Sequence, residues 1–450
     1  MTVASSAPRE AFASRAGFIL AAAGSAVGLG NMWRFPYQAS EGGGAAFVMV
    51  YIGLTLVLGI PLMLAEFGIG RRGQLSPIGS LRKLAGPAWV PLGYLFVAVG
   101  LLILSYYSVI AGWTLRYGLE AVFLGFPADS AGHFGAVASG GDAVAFHVAF
   151  MALTVSIVIG GVKGGIERAS LLLMPLLFLM VVGLALWAAT LPGAGQGYLV
   201  YLKPGIDELL NPSVWRAAAS QAFFSLSLGM GGMLTFASYL RRDQNLPESA
   251  TVVAFTDFGV AFVAGLLVFP VIYSFALQDA VSASTVGALF IAVPSAFEAM
   301  GPLGRIIGLF FFVVLSVGAL TSAISLLEVV TASVIDEFGL SRRRAALLTG
   351  AAITGLGVFP AFDIDALGLL DKIAGEFLLL AGGLVLALLA GWRLRAAVSD
   401  ELLAGASPRW QRQVPRILAT LRFLVPPIVA AVLFFSLRET ATAVVEYFGS

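Results

Sequence analysis

The sequence lacks cysteine and has few charged residues. Without cysteine, the chain can form no disulfide bond, thiolate metal site or cysteine nucleophile. Its two isolated histidines, His133 and His147, do not suggest a metal cluster. Charged residues make up 11% of the chain, whereas soluble domains average about 25%, so the composition argues against a soluble enzyme. The net charge of +1 gives no indication of a nucleic-acid partner.

Apolar residues dominate instead. They form 59% of the 450 residues, and the mean hydropathy is +0.94. They occur in blocks of about 18 or more, the length that crosses a bilayer. Because a backbone that crosses lipid must satisfy its own polar groups, we predict an all-α polytopic membrane protein. The eleven predicted spans, called span one to span eleven below, are residues 16–38, 44–70, 88–119, 144–162, 167–191, 215–240, 249–277, 303–335, 344–360, 366–392 and 416–438.

The distribution of basic residues predicts the orientation. Most of the 26 lysines and arginines fall on the side of the predicted spans that carries the N-terminus. Basic residues are enriched in cytoplasmic loops, so we expect the N-terminus to be cytoplasmic and, with eleven spans, the C-terminus to be outside. Pro212 follows Asn211 and removes a potential N-glycosylation acceptor, which suits a bacterial protein. We therefore predict a multi-pass protein of the bacterial inner membrane.

Two glycine-rich segments occupy corresponding places in spans one and six. They are Gly24–Asn31 and Ser225–Gly232, each crowded with small residues. Glycine costs about 1 kcal/mol relative to alanine inside a helix. Clustered glycines at matching positions in two halves indicate broken helices in a transporter built from inverted repeats. Close helix packing through small residues remains an alternative interpretation.

Broken helices predict a particular binding chemistry. Freed amide groups at a helix N-terminus attract a carboxylate, and freed carbonyl groups attract a cation. Three carboxylates, those of Glu66, Asp257 and Glu328, fall within apolar blocks, where ionisable groups usually mark a pathway or an ion site. For Glu66 and Glu328, structural pairing is the alternative. Asp257 has no basic neighbour within a turn or two of its helix, which favours an ion ligand.

The motifs resemble those of a known family. The run Ala23–Pro36, AGSAVGLGNMWRFP, closely resembles the signature of the neurotransmitter:sodium symporter family. Further matches follow in the family's order at Gly59–Met63 with Glu66, Tyr106–Tyr107, Phe224–Gly231, Leu320–Ser322 and Asp371. The resemblance implies a LeuT-like fold, a 5+5 inverted repeat with broken first and sixth helices. It also implies the divisions 1–14 (cytoplasmic segment), 15–191 (first repeat), 192–214 (extracellular loop), 215–392 (second repeat) and 393–450 (helix eleven and the C-terminus).

The resemblance also implies which residues bind substrate and ions. The substrate pocket would comprise Ala26, Gly28, Leu29, Gly30, Ile103, Tyr107, Phe224, Ser225, Ser227, Met230, Ser322 and Leu326. The first of two expected sodium sites would comprise Ala26, Asn31, Ser225 and Asp257. The second would comprise Gly24, Val27, Gly318, Thr321 and Ser322. Arg34 and Asp371 would form the outer gate, and Arg9 and Asp336 the inner gate with Phe12, Ser238 and Tyr239 nearby.

Three departures from the family pattern refine the substrate and the ions. Gly28 stands where amine-transporting members have aspartate, which favours an amino acid that brings its own carboxylate. Met230 replaces a common phenylalanine and predicts a pocket that tolerates several hydrophobic side chains, although plain core packing is an alternative. Asp257 replaces a common asparagine, and Ala261 lacks the hydroxyl of chloride-dependent members, although Tyr51, Gln221 and Ser225 match their chloride site. Transport is therefore expected to be independent of chloride.

A helix breaker is predicted near the inner end of span five. Gly165 and Pro175 resemble the family's Gly-x9-Pro element, and a proline inside a helix removes a hydrogen bond. We expect local unwinding that admits water to the second sodium site, with a static kink as the alternative.

The predicted function is that of a transporter without enzymatic activity. It would be a sodium-coupled secondary active symporter that imports hydrophobic, aliphatic and aromatic, L-amino acids by alternating access. Its partners would be the amino acid, sodium ions and the lipid bilayer. Two alternatives remain open, namely transport of another small solute such as an amine or osmolyte, and a non-transporting receptor or channel on the same scaffold.

Overall fold

The computed structural model describes residues 9–203, 205–278 and 288–449. Every regular element in these ranges is helical. Residues 1–8 of the predicted cytoplasmic segment, residue 204 of the predicted extracellular loop and residue 450 lie outside the described residues.

Within the described ranges, nine helices are long and apolar enough to cross a membrane. They are Ala45–Gly73, Pro87–Phe123, Gly141–Ile159, Val162–Ala188, Leu246–Ser274, Pro302–Phe338, Arg342–Phe362, Ile364–Arg393 and Pro408–Gly449. They correspond to nine of the predicted spans, all except one and six. The predicted polytopic, all-helical fold is therefore confirmed.

Span one is broken where its glycines predict. The helix Arg15–Ala26 ends at Val27, whose backbone is extended. A short π-helix begins at Gly30 and leads into the helix Phe35–Glu41. The two halves are bent by 48° and count as a tenth span if taken together. Gly28 lies in the break, where a β-carbon would come within 2.3 Å of the Ser322 Oγ. Only glycine therefore permits this approach of span one to span eight.

Span six is interrupted more widely. Its helices Pro212–Ser225 and Gly232–Ala237 are separated by six residues of turns, and each is too short to cross a membrane alone. Ser227, Gly229 and Gly231 have positive φ angles, a region that glycine adopts without strain. The structure thus contains nine or ten helices that qualify as spans in its described part, and the predicted total of eleven depends on counting span six.

The long helices enclose the two breaks. Span eight packs along span three, and the first half of span one contacts spans five and eight. Large apolar side chains face outward elsewhere, as on span five, where Leu172, Leu179 and Leu186 are largely exposed at seven-residue intervals. A stripe of this kind suits contact with lipid acyl chains.

Shorter helices connect the spans. They are Pro77–Ala85, Ser130–Val137, Ala194–Leu202, Ile206–Leu209, Val293–Ala299 and Arg395–Leu403. Span five begins as a π-helix, Val162–Glu167, before the regular helix Arg168–Ala188. Gly165 lies in this irregular turn, and a β-carbon there would lie 2.0 Å from the carbonyl oxygen of Ile157.

Candidate substrate and ion site

A small cavity lies between the two helix breaks. Eleven of the twelve predicted pocket residues line it, and the remaining one, Leu29, contributes only its backbone nearby. Ser25 also lines it and was not predicted; the Ser227 hydroxyl donates to its carbonyl oxygen at 2.7 Å. Its position directly before Ala26 in the glycine-rich segment was the available signal. The cavity measures about 20 Å³, against about 490 Å³ for the open vestibule beside Arg34, so side chains close over it in this conformation.

One end of the cavity carries hydrogen-bond donors, and Gly28 of span one presents no side chain there. The Leu29 backbone amide donates to the Tyr107 hydroxyl at 3.1 Å, so both groups lie at the break in span one. A β-carbon on Gly28 would come within 2.8 Å of the same hydroxyl. This end can therefore receive a carboxylate from a ligand but has no room for an aspartate in place of Gly28.

The other end of the cavity is apolar. Ile103, Met230 and Leu326 line it and are almost completely buried. Phe224 closes it toward the vestibule, and the Arg34 guanidinium lies 5.0 Å from the centre of its ring. The arrangement suits a hydrophobic ligand side chain beneath an aromatic lid.

The first predicted ion site is a cluster of buried oxygen atoms. The Asn31 amide donates to the Asp257 carboxylate at 2.7 Å and to the Ser225 hydroxyl at 3.1 Å. Ser225 in turn donates to both carboxylate oxygens of Asp257, at 2.8 and 2.9 Å. The Asn31 side-chain oxygen accepts from the Gly28 amide at 2.9 Å and so ties the cluster to the break. A carboxylate, a hydroxyl and an amide oxygen are ligands that a hard cation prefers.

The second predicted ion site joins span one to span eight. The Ser322 hydroxyl lies 3.3 Å from the Gly24 carbonyl oxygen and 3.4 Å from that of Val27. The Thr321 hydroxyl lies 3.0 Å from the Gly318 carbonyl oxygen and 3.5 Å from that of Val27. All five predicted residues therefore converge, and their oxygens are again hard ligands without a carboxylate.

The two other intramembrane carboxylates have structural partners. Glu66 accepts from the backbone amides of Gly229 at 2.9 Å and Leu234 at 3.1 Å, so it satisfies amides freed by the break in span six. Glu328 forms an ion pair with Arg342 at 2.8 Å and accepts from the Tyr239 hydroxyl. Structural pairing, the alternative left open for these two residues, is what the structure contains.

The predicted outer gate has a different partner. Arg34 pairs with Glu376 at 2.5 Å, whereas Asp371 accepts from the Tyr106 hydroxyl at 2.8 Å. In this conformation Arg34 therefore bonds Glu376 rather than Asp371, and both predicted gate residues line the same vestibule. Glu376 lies five positions beyond Asp371 in a π-helix, a local winding that the sequence did not reveal.

The predicted inner gate is closed. Arg9 makes a two-pronged ion pair with Asp336, at 3.0 and 3.1 Å. It also donates to the Ser238 hydroxyl at 2.8 Å and lies 4.8 Å from the centre of the Tyr239 ring. Phe12 is buried against Tyr239. The first described residues therefore seal the end of the bundle opposite Arg34.

Known proteins resemble the chain along nearly its whole length. The profile of the sodium:neurotransmitter symporter family matches residues 9–134 and 133–446. An uncharacterized sodium-dependent transporter of Bacillus subtilis (strain 168) is 38% identical over 353 residues, 77% of each chain. One of Methanocaldococcus jannaschii is 34% identical over 465 residues, 97% of this chain and 92% of that protein. The crystal structure of MhsT in complex with L-phenylalanine is 40% identical, with a TM-score of 0.86 over 95% of this chain and 99% of that one. This last similarity confirms the predicted LeuT-like fold.

Proposed function

Since the chain belongs to the sodium:neurotransmitter symporter family, a family of sodium-dependent transporters, we propose that it imports hydrophobic L-amino acids together with Na⁺. The observation that carries this proposal is the packing around Gly28. No side chain fits there beside Tyr107 and Ser322, so residue 28 supplies no carboxylate for a substrate amine. Freed amides and the Tyr107 hydroxyl can instead bind the carboxylate of an amino acid.

The apolar end of the cavity supports the hydrophobic specificity. Ile103, Met230 and Leu326 offer no charged or hydrogen-bonding group to a substrate side chain. Methionine is flexible and polarizable, so Met230 can adjust to aliphatic and aromatic side chains. The related MhsT structure contains L-phenylalanine, which supports an aromatic substrate for this chain as well.

The two oxygen clusters support two sodium sites. The first, around Asn31 and Asp257, adjoins the cavity through Ser225, so the substrate carboxylate would complete it and couple ion to substrate. The second, around Thr321 and Ser322, holds span one against span eight. A sodium ion there favours the conformation in which the two spans touch, and its release permits the opposite opening.

The distribution of lysines and arginines along the chain supports an orientation of the protein in the membrane. We place Arg9 and the N-terminus in the cytoplasm of a bacterial cell and Arg34 with its vestibule outside. Transport would then alternate between opening at Arg34 and opening at Arg9 around a fixed central site. Both gates are closed by ion pairs in this structure, which suits a step between the two openings.

Uptake is expected to be independent of chloride. Asp257 supplies a buried negative charge at the position where an anion would otherwise balance sodium, and Tyr51 donates to it at 3.0 Å. A chloride ion among these residues would face this like charge. Replacing chloride with gluconate at constant sodium should change initial uptake by less than about twofold. A loss of uptake in gluconate would contradict this assignment.

Glu376 should hold the outer gate more strongly than Asp371. Replacing Glu376 with glutamine removes the ion pair to Arg34, so bound amino acid should dissociate about tenfold faster. Asp371→Asn is the matched control, because its hydrogen bond to Tyr106 leaves the Arg34 pair intact. The measurement is the release rate of radiolabelled substrate. Faster release in Asp371→Asn alone would assign the gate to Asp371.

The function itself is tested by binding and uptake. Purified protein is assayed by scintillation proximity with each of the twenty amino acids, with and without Na⁺, and proteoliposomes with an inward sodium gradient are assayed for accumulation. We expect sodium-dependent binding of leucine-like and aromatic amino acids and concentrative uptake. Binding of an amine or osmolyte instead would indicate another solute, and binding without accumulation would indicate a receptor or channel.

A further inference from the structure

Arg422, on span eleven, has no anionic partner in the described part of the chain. Its Nε is buried and makes no hydrogen bond, and the guanidinium contacts two aromatic rings instead. The group lies 5.4 Å from the centre of the Trp392 ring and 5.1 Å from that of Phe423. An anionic partner stabilises an arginine near the edge of the hydrocarbon layer, and none of the described residues provides one for Arg422.

The depth of Arg422 can be judged along its own helical segment. The next arginine on span eleven, Arg438, lies 16 positions further on, and the intervening residues are mostly apolar. Sixteen helical residues measure about 24 Å, less than the roughly 30 Å of the hydrocarbon layer. The Arg422 side chain therefore lies close to the boundary between acyl chains and headgroups. Trp392, half-exposed at the end of span ten, is a residue typical of that boundary.

Exposed basic residues are concentrated in the segment that joins spans ten and eleven, close to Trp392 and Arg422 in the sequence. Arg393 donates to the carbonyl oxygen of Ala85 and so lies beside the short helix that ends there. Five arginines between positions 393 and 416 are exposed. They are Arg393, Arg395, Arg409, Arg412 and Arg416. Their combined charge attracts anionic lipid over a distance of about one Debye length.

The carboxylates that lie nearest to these arginines in the sequence do not neutralise their positive charge. Glu401 is buried and accepts hydrogen bonds from Arg71 at 2.8 Å and Arg242 at 2.6 Å. Burial by itself raises the pKa of Glu401, but the hydrogen bonds and charge of Arg71 and the bond from Arg242 outweigh burial and lower the pKa below its ordinary value. Glu401 is therefore ionised and already paired, and Asp400 is the one exposed acidic residue in this stretch, 393–422.

We propose that Arg422 and Trp392 form a binding site for the phosphate of an anionic phospholipid at the junction of spans ten and eleven. The guanidinium fork would bind the phosphate oxygens, and the two rings would pack against the glycerol backbone and the upper acyl chain. The surrounding arginines raise the local concentration of anionic lipid, whereas Arg422 gives the site its position. This site is independent of the substrate pocket and of the transported solute.

The proposal is tested with full-length protein and lipids of defined headgroup. Native mass spectrometry of purified protein titrated with phosphatidylglycerol or phosphatidylcholine should show preferential retention of phosphatidylglycerol. Replacing Arg422 with glutamine should weaken that retention about five- to tenfold. Arg416→Gln, which removes an exposed charge from the same segment, is the matched control and should weaken it less than about twofold.

Two further measurements separate the sources of the effect. Inorganic phosphate at equal ionic strength should not displace the bound lipid, because the site also contacts the lipid body. Arg422→Lys keeps the charge but loses the planar fork, so it should weaken retention about two- to threefold, less than glutamine does, which guards against a glutamine variant that folds poorly. Equal losses in Arg422→Gln and Arg416→Gln, equal retention of the two lipids by the unmodified protein, or displacement by phosphate would each overturn the proposal.

Discussion

Replacing Asn31 with alanine is expected to weaken sodium binding and amino-acid binding together, each by about ten- to a hundredfold. The Asn31 side chain connects the Asp257 carboxylate, the Ser225 hydroxyl and the Gly28 amide. Alanine would remove an oxygen ligand of the first proposed sodium site and leave the Gly28 amide without its acceptor. Because this ion and the substrate carboxylate would contact each other, a loss in one affinity must appear in the other.

The measurement is a pair of equilibrium titrations on purified protein. Sodium is titrated at fixed amino acid, and the amino acid is titrated at fixed sodium. Asn211→Ala is the control, since Asn211 is an exposed helix cap remote from the cavity. Both its affinities should be unchanged. An Asn31→Ala protein that loses only one of the two affinities would show that the ion and the substrate do not share a site.

The helix breaks were predictable because they depend on local sequence, whereas the residues of the oxygen clusters were predicted from the resemblance to the family. Small residues at 24–31 and 225–232 permit close approach of the backbone, and only a few residue types satisfy that requirement. In the structure, the Asn31 amide donates to the Ser225 hydroxyl at 3.1 Å, and the Thr321 hydroxyl of span eight lies 3.5 Å from the Val27 carbonyl oxygen, so residues next to both breaks take part in the clusters. Span six shows where this kind of prediction stops. Its apolar sequence is long enough to cross a membrane, but that length does not reveal that its two helices are each short.

Contacts between distant elements were less predictable. The position of Arg34 in the family signature assigned it to a gate. That Arg34 pairs with Glu376 rather than with Asp371 depends on a π-helical turn in span ten. Such a turn rotates side chains by an amount that residue spacing does not encode. Residue spacing likewise does not predict the hydrogen-bond partners of Glu167, which lie more than 150 positions earlier in the chain.

Glu167 anchors the start of span one to span five. This carboxylate is 3% exposed and accepts from the Ala13 amide at 2.7 Å, the Ser14 amide at 3.0 Å and the Ser14 hydroxyl at 2.8 Å. Gly17 leaves room for it, because a β-carbon there would lie 2.0 Å from its oxygen. A reciprocal contact runs from Glu10, which accepts from the Val162 amide at 2.6 Å.

These contacts join the first half of span one to the irregular turn Val162–Glu167. The same turn contains Gly165, where local unwinding was predicted, and it leads toward Pro175 in the regular part of span five. If the Arg9 end opens during transport as proposed, the first half of span one would have to leave this turn. Breaking the anchor should therefore stabilise the open form and expose the turn to water.

Replacing Glu167 with glutamine should lower apparent amino-acid affinity at fixed sodium about three- to thirtyfold and increase hydrogen exchange at residues 162–172. A glutamine turns one of the two acceptor oxygens into a donor facing the backbone amides, which costs about 1–2 kcal/mol in a buried setting. Glu248→Gln is the matched control. Glu248 lies on span seven and pairs with Arg15 at the start of span one, but both side chains are more than 40% exposed, so loss of this pair should have little effect. Unchanged exchange at 162–172, with or without an affinity loss, would mean that this turn is a static kink. Increased exchange together with weaker sodium-dependent binding would instead identify the carboxylate as the contact that must break before sodium and substrate are released inward.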